Sequence, residues 1–415
     1  MTTATDTTAR TDRPQAHEIL ARVEEMRPWL RQHQAEAEKQ RRVPQETIER
    51  LDEAGIFSLT TPKRFGGADF TTRELHDVYR ALAAGCGATA WVVWAAAGGN
   101  LWSFAFPDDV IAPVYESPWV GNRTFALGGT SRRMSGTARR VDGGWMIKGV
   151  WPFATGSVHA SHGYLAAFYD ETDDAKVGMA LVPKDQLVAR GDWDSMGLAA
   201  TGSQTVATEG ELFVPEERFS TPAQLTERIR EMTGQGLGPR RGGLVRSLVS
   251  GTGLALGMAD HALEVFLGAV GKRSLPYSRY ANAAESPLVH HAVGRAHMQI
   301  RAAGMVADAA VVELDRRDAE QRDLSEREAL QYHADVAHAW HECAAAIEAL
   351  FHASGASAIM KWQPLQLIAR NCRAGSLHAA YNIDTWLENV GRALSGDESA
   401  SISTSVLEQR SSGSR

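Results

Sequence analysis

The chain predicts a mainly helical protein with a β domain set into its middle. Three observations carry this reading. Apolar residues recur at helical spacing up to about residue 122, short turn-bounded extended runs replace them from about 123 to 232, and long helical periods return past Gly234. The expected organisation is a disordered start (1–14), a helical domain (15–122), a β domain (123–232), a four-helix bundle (233–393) and a flexible tail (394–415).

The first helix follows Asp12 and Pro14 and carries Ile19, Val23, Met26 and Leu30 on one stripe. Pro44 suits the first turn of a second helix, with Ile48 and Leu51 inward and Gly55 as its stop. Thr72 is expected to cap a third, bearing Leu75, Val78, Tyr79 and Leu82. An alanine- and tryptophan-rich helix is expected from about Ala88 to Trp102.

In the middle region, Val141-Asp142-Gly143-Gly144-Trp145 reads as a hairpin turn between two strands. Further strands are expected over Tyr164–Tyr169, Val177–Val182 and Thr205–Val214, closed by Pro215. They suggest sheet-on-sheet packing or a barrel. Four long helices follow: Leu244–Phe266, His290–Leu314, Glu328–Phe351 and Pro364–Leu387. Helices of that length with few breaks suggest an antiparallel bundle. Ser395–Arg415 is Ser-rich and aperiodic, which fits a tail that is disordered or ordered only by a partner subunit.

Composition narrows the function. A hydrophobic share of 44% over 415 residues can build a large core, and a net charge of -7 is no nucleic-acid footprint. The start lacks an apolar signal core, and the apolar runs Ala90–Gly98 and Leu254–Met258 are too short to span a bilayer. A cytoplasmic protein without membrane attachment is expected. Cys86, Cys343 and Cys372 are scattered, which fits a reducing compartment and no disulfide framework.

Several chemistries lack their motifs. There is no dinucleotide glycine fingerprint, P-loop or Gly-x-Ser-x-Gly elbow. His333, His338 and His341 do not share one helix face, and no Glu-x-x-His pair occurs, so no metal site is expected. A crevice between the β domain and the bundle is a sensible cofactor site.

Several segments resemble a known family. Pro62-Lys63-Arg64-Phe65-Gly66-Gly67 is similar to the Pro-x-x-Tyr/Phe-Gly-Gly turn of the acyl-CoA dehydrogenase superfamily. Gly85 to Val92 resembles the Cys-x-Ser-Thr-Gly-Trp-Val segment of its two-component flavin-dependent monooxygenases. Trp151-Pro152-Phe153-Ala154-Thr155-Gly156-Ser157 resembles their Trp-x-Phe-x-Ser-Gly-Ser strand end, and Gly197 to Gln204 their Gly-x-x-x-Thr-Gly-Ser. Gly355-Ala356-Ser357 through Pro364-Leu365 and Arg370 is similar to their Gly-Gly-Ser to Pro-Leu-x-Arg stretch.

The resemblance, which covers about residues 15 to 393, implies an acyl-CoA-dehydrogenase-like fold and a flavin site. It places Trp151, Phe153, Thr155, Gly156, Ser157, Thr201, Ser203, Gly355, Ser357 and Arg370 around the cofactor. Thr155 would be a hydrogen-bond donor at the flavin N5 edge. The dehydrogenases' catalytic Glu falls on Ala379, which cannot remove a proton, whereas His378 stands where the oxygenases keep a histidine. His378 would accept a substrate proton or hydrogen-bond the peroxide. One departure is Gly99, followed by Asn100, where phenol hydroxylases carry a second histidine. Trp94, Gly99, Asn100, Trp102 and Asn382 would line the substrate pocket.

The implied protein is an oxygenase component. It would take FMNH2 or FADH2 from a separate NAD(P)H:flavin reductase and use O2, through a C4a-(hydro)peroxyflavin, to hydroxylate an aromatic, polycyclic or heteroatom-containing molecule. A homo-oligomer, with a tetramer as the family norm, would complete the flavin site. The rival readings are an acyl-CoA-dehydrogenase-like FAD oxidoreductase and a non-catalytic ligand-binding scaffold.

Overall fold

The computed structural model describes residues 16–61, 65, 67, 70–115, 124–127, 135–170, 176–233 and 245–396. The segment 1–14, nearly all of the tail, and most of the 62–67 turn lie outside these residues.

Helix α1 (Ala16–Gln40) buries Ile19, Val23 and Leu30, the stripe its spacing predicts. Each such buried side chain is worth ~1.5–3 kcal/mol over leaving it exposed. Helix α2 (Gln45–Glu53) starts after Pro44, buries Ile48 and Leu51, and gives way at Gly55, which takes φ +83°. Helix α3 (Thr72–Gly85) is capped by Thr71, not Thr72: the Thr71 hydroxyl accepts from the Glu74 amide, and the Glu74 carboxylate accepts from the Thr71 amide. The Thr72 and Arg73 amides donate instead to the Asp315 carboxylate at 2.7 and 2.9 Å. Helix α4 (Gly87–Gly99) has almost no polar side chain and is buried on nearly every side, with a 3-10 turn Asn100–Ala105 after it. Helix α5 (Asp108–Tyr115) leads toward the sheet.

The strands are β1 (Thr124–Leu127), β2 (Gly136–Val141), β3 (Gly144–Trp151), β4 (His162–Phe168), β5 (Val177–Pro183), β6 (Val188–Ala189), β7 (Val206–Ala207), β8 (Leu212–Pro215) and β9 (Phe219–Ser220). The predicted hairpin is present: Val141 faces Gly144 across β2 and β3, and Gly143 turns with φ +74°. The expected strand Thr205–Val214 is instead two short strands, because Gly210 at φ +91° breaks it.

Sheet-on-sheet packing or a barrel was expected; the strands join in one mixed sheet. Its order is β6-β7-β3-β2-β4-β5-β9, with β1 on β4 and β8 on β3. Strand β4 pairs in parallel with β1 and β2 and antiparallel with β5. The period of two splits β4 and β5 between two cores. Leu165, Ala167, Ala180 and Val182 face one side, while Tyr164, Ala166, Phe168, Met179 and Leu181 face the other. That second face packs on Phe106, Ile111 and Val114 of the preceding helical segment and on Leu225 of α6 (Pro222–Thr233).

The bundle is α7 (Thr252–Val270), α8 (Pro287–Ala319), α9 (Glu326–Ala353) and α10 (Pro364–Ser376). The helical stretch Val245–Val270 is long and apolar enough to cross a membrane by composition, but 56% of its most apolar window is buried against the rest of the chain. Its glycines explain the fit. A Cβ at Gly253 would lie 2.3 Å from the His76 carbonyl oxygen of α3, and one at Gly257 would lie 2.1 Å from that of Arg80. The expected last helix, Pro364–Leu387, is two helices. Helix α10 stops at Ser376, a 3-10 turn covers Ala379–Tyr381, and α11 (Ile383–Leu394) begins afresh. Two local caps cause the break: the His378 ring accepts from the Ala380 amide, and the Asn382 side chain accepts from the Thr385 amide.

Candidate active site

Two loops of the sheet meet side by side. The segment after β3 bends sharply at Phe153, which takes φ +61° and is 59% exposed. Its backbone zips to the 198–205 loop through Ala154 N–H to Gln204 C=O at 3.0 Å and Gly156 N–H to Thr201 C=O at 3.3 Å. Trp151, expected at the cofactor, is a packing residue instead. It has no exposed surface, donates its indole N–H to Ala166 C=O at 2.8 Å, and lies where a Cβ on Gly136 or Gly149 would collide. Ser157 is also fully buried, and its hydroxyl has no hydrogen-bond partner among the described residues.

The zipped loops bring three hydroxyls into a row. Thr155 Oγ1 lies 2.7 Å from Ser203 Oγ, and Ser203 Oγ lies 2.6 Å from Thr201 Oγ1. Thr201 Oγ1 donates to Leu198 C=O at 2.8 Å. Thr201 and Ser203 are buried, while Thr155 is half-buried at the rim. The row is fixed to the bundle, since the Leu198 amide donates to Asn371 Oδ1 of α10 at 2.7 Å. Gly197 lies against the Arg370 carbonyl oxygen, where a Cβ would come within 2.1 Å. Arg370, expected to reach a cofactor, uses Nη1 and Nε within the protomer, while its Nη2 is buried without a partner among the described residues. It pairs with Glu38 of α1 and donates to Gln366 Oε1 and the Met196 carbonyl.

The opposite wall is aromatic. A Cβ on Gly156 would sit 3.4 Å from Val92 Cγ1, so the first loop abuts α4 at that residue. The neighbouring α4 residues Trp91 and Trp94 place their rings 5.6 and 5.9 Å from the His378 imidazole, both edge-on. Tyr381 lies 5.5 Å from His378 and stacks on Trp340 of α9 at 4.7 Å. Gly375 makes room for this cluster, as a Cβ there would lie 2.5 Å from Trp340 Cζ3 and 3.1 Å from Trp91 Cζ3. The Tyr381 hydroxyl and Trp340 indole N–H are buried without a partner among the described residues.

His378 is not a mid-helix residue, as the sequence suggested, but caps the 3-10 turn after α10. By surface area it is exposed, yet protein atoms crowd around it. Aromatic rings surround the imidazole in a crevice open on one side, and loss of solvation there lowers its pKa to about 4. The ring is therefore neutral near pH 7. Because Nδ1 accepts from the Ala380 amide at 3.2 Å, the neutral ring carries its proton on Nε2 and presents a donor.

The other expected pocket residues divide. Trp94 lines the aromatic wall, its indole N–H donating to Ser247 C=O at 3.0 Å. Gly99 ends α4. Asn100 is 1% exposed and donates to Thr60 Oγ1 at 3.2 Å, so it is tied into the core and does not face an opening. Trp102 packs in the cluster between the sheet and α5. Asn382 is a helix cap. Gly355 and Ser357 are exposed in the α9–α10 connection, with Gly355 at φ +70°. His333 is buried, its ring stacked on Trp386 at 4.1 Å, and among the described residues no His, Cys, Asp or Glu cluster could hold a metal. Sequence reading missed Trp340 and Tyr381 as members of the wall. Only the short spacing from His378 to Tyr381 hinted at one of them.

Known proteins of similar sequence and structure can be set beside this geometry. The acyl-CoA dehydrogenase N-terminal domain family matches residues 16–105, and the acyl-CoA dehydrogenase C-terminal domain family matches 250–383. The flavin-dependent monooxygenase, oxygenase subunit HsaA, of Rhodococcus jostii is 29% identical over 87% of this chain and 94% of its own. The protein of the same description from Mycobacterium tuberculosis is 26% identical over 88% and 92%. The structure of XiaF from Streptomyces sp., solved with FADH2 and glycerol, superposes with a TM-score of 0.83 at 27% identity, covering 92% of this chain and 96% of that one. The chain therefore has the acyl-CoA dehydrogenase-like fold and is homologous to the oxygenase subunits of two-component flavin-dependent monooxygenases.

Proposed function

We propose that this chain is the oxygenase component of a two-component monooxygenase that hydroxylates an aromatic, polycyclic or heteroatom-containing small molecule. One observation carries the reading: His378 sits in the aromatic crevice while the next residue, where a dehydrogenase would hold its carboxylate, is Ala379. A neutral donor among tryptophans suits oxygen transfer to a flat substrate. It does not suit abstraction of a proton beside a thioester.

The residues present fit a flavin. The two zipped loops offer one half-buried hydroxyl, Thr155, at the rim and the unpartnered Ser157 hydroxyl beneath it. Phe153, Gly156 and the 198–203 backbone flank them. When bound in its reduced form, the cofactor supplies the electrons that activate O2. The protein does the rest. Trp91, Trp94 and Tyr381, themselves nearly buried, pack round the His378 imidazole and keep water from its inner side, leaving the open side of that ring to an aromatic substrate. His378 holds a proton on Nε2 and donates a hydrogen bond toward the reacting oxygen, rather than accepting a proton from the substrate.

The partner enzyme is a separate NAD(P)H:flavin reductase, and the setting is the cytoplasm. A second copy of the chain completes the assembly, most simply as a tetramer of two dimers. Ile359 and Trp362, 68% and 70% exposed beside Gly355 and Ser357, suit a subunit contact.

The test supplies reduced flavin and O2 and follows product from a panel of phenols, fused aromatics and sulfur heterocycles, with acyl-CoA thioesters alongside. Hydroxylation, and a protein that purifies nearly colourless because it binds reduced flavin more tightly than oxidised, is the expected result. Yellow protein that oxidises a thioester would support the dehydrogenase reading, and a chain that binds no flavin the scaffold reading.

A further inference from the structure

The three hydroxyls beside the crevice have a direction. The Leu198 carbonyl can only accept, so the 2.8 Å contact uses the single proton of Thr201. The 2.6 Å contact between Thr201 and Ser203 must then use the proton of Ser203. Ser203 has no other, so the 2.7 Å contact uses the proton of Thr155. Ser203 and Thr201 are 4% and 3% exposed, so the row settles its protons internally. The Leu198 carbonyl also accepts from the Thr201 amide at 3.0 Å and, at 3.3 Å, from the Trp193 indole, but the Thr201 hydroxyl is its nearest donor. Thr155, half-buried, is left with only lone pairs to offer a further partner. It is an acceptor, the reverse of the donor expected from the sequence.

We propose that Ser203 and Thr201 are positioning residues that set which redox form of the flavin the site prefers, by holding Thr155 as a hydrogen-bond acceptor. The inference rests on the proposed function, which puts the N5 edge of the flavin at Thr155. Reduced flavin carries a hydrogen on N5 and can donate to Thr155. Oxidised flavin has a lone pair on N5, which would face the lone pairs of Thr155. The hydroxyl row thus favours the form that a reductase delivers and disfavours the spent form, which must leave. No part of this selection needs a charged group.

The experiment measures dissociation constants of FMN and FAD, oxidised in air and reduced under anaerobic conditions, together with the midpoint potential of the bound flavin. Ser203→Ala removes the acceptor of the Thr155 proton and frees Thr155 to donate. Thr201→Val removes the anchor, so that Ser203 turns its proton to Thr155 with the same effect. In both variants the ratio of oxidised to reduced dissociation constants should fall about tenfold, the worth of one hydrogen bond. The potential should fall by about 30 mV for the two-electron couple. Tighter binding of oxidised flavin by a variant that has lost a hydroxyl is not what general damage to the site would produce. Thr201→Ser keeps the row and should keep the wild-type ratio. The proposal is overturned if both variants leave the ratio and potential unchanged or push them toward the reduced form. A wild-type chain that binds neither form would instead overturn the flavin reading, and this inference with it.

Discussion

Replacing His378 with glutamine separates the two roles an imidazole can play in the crevice. The Ala380 amide occupies Nδ1 at 3.2 Å, which leaves Nε2–H as the working atom of a neutral ring. The aromatic surroundings lower the pKa to about 4 from the usual 6.5, so protonation plays no part near neutrality. Glutamine can present an amide N–H near the Nε2 position but cannot take up a proton. Loss of one preorganised donor in a dry site costs roughly 10²–10³ in rate. His378→Ala should therefore lose at least about 10² in oxygen transfer, while His378→Gln should keep it within roughly tenfold of wild type, the difference reflecting its looser side chain. The assay is hydroxylated product formed per hydrogen peroxide released, with reduced flavin, O2 and substrate supplied. Wild-type coupling should also stay level from about pH 6 to about pH 8, because the histidine does not titrate there. If His378→Gln is as uncoupled as His378→Ala, and wild-type coupling falls along a limb near the ordinary histidine pKa, His378 is a base and the tautomer argument is wrong.

Three further perturbations follow from the geometry. Gly375→Ala drives a methyl to within 2.5 Å of Trp340 and 3.1 Å of Trp91, so it should lower stability by about 1–3 kcal/mol, read as a reduced melting temperature, and disturb substrate binding. Asn371→Leu leaves the Leu198 amide without its 2.7 Å acceptor, at a cost of ~1–3 kcal/mol, and should weaken flavin binding by loosening the 198–203 loop; unchanged urea midpoint and affinity would count against this. His261 and His333 are buried and neutral, with pKa values lowered to about 4 by loss of solvation. The unfolded chain binds their protons below its higher pKa, so stability should be full above about pH 6.5 and drop as pH falls toward 4, by roughly 2–3 kcal/mol per histidine. Replacing both with phenylalanine should flatten that slope, and an unaltered acid profile would refute the assignment.

The long helices were legible because a buried stripe repeats at 3.6 residues, as in Ile19, Val23 and Leu30. The β2–β3 hairpin was legible because Asp142-Gly143 states its own turn. The break after Ser376 was not, since neither proline nor glycine follows it before Asn382, and Gly375 ahead of it stays helical. It is made by side-chain caps, and the Asn382 to Thr385 cap looks in sequence like any polar residue on a helix. The aromatic wall was hidden for a different reason. Trp91, Trp340 and Tyr381 come from three distant segments, and nothing local distinguishes a tryptophan that lines a crevice from one that fills a core. The hydroxyl row was half visible. Thr155, Thr201 and Ser203 were named individually, but their order, and with it the direction of their protons, exists only once two loops are zipped together.

The seam of glycines by which α7 meets α3 bears on how the chain comes off the ribosome. Gly253 and Gly257 allow the backbones to touch, so α3, which packs on α1 and α4 as soon as those are made, still lacks this neighbour until α7 has been synthesised. The whole sheet lies between them in sequence. Its main pairings, β2 with β3 and β4 with β5, join near neighbours, and such contacts close early because they require only short loops. The middle of the chain can therefore settle before its beginning. During that interval the side of α3 around His76, Arg80 and Ala83 that α7 will cover stays open, the kind of nascent segment that chaperones hold until the missing partner emerges.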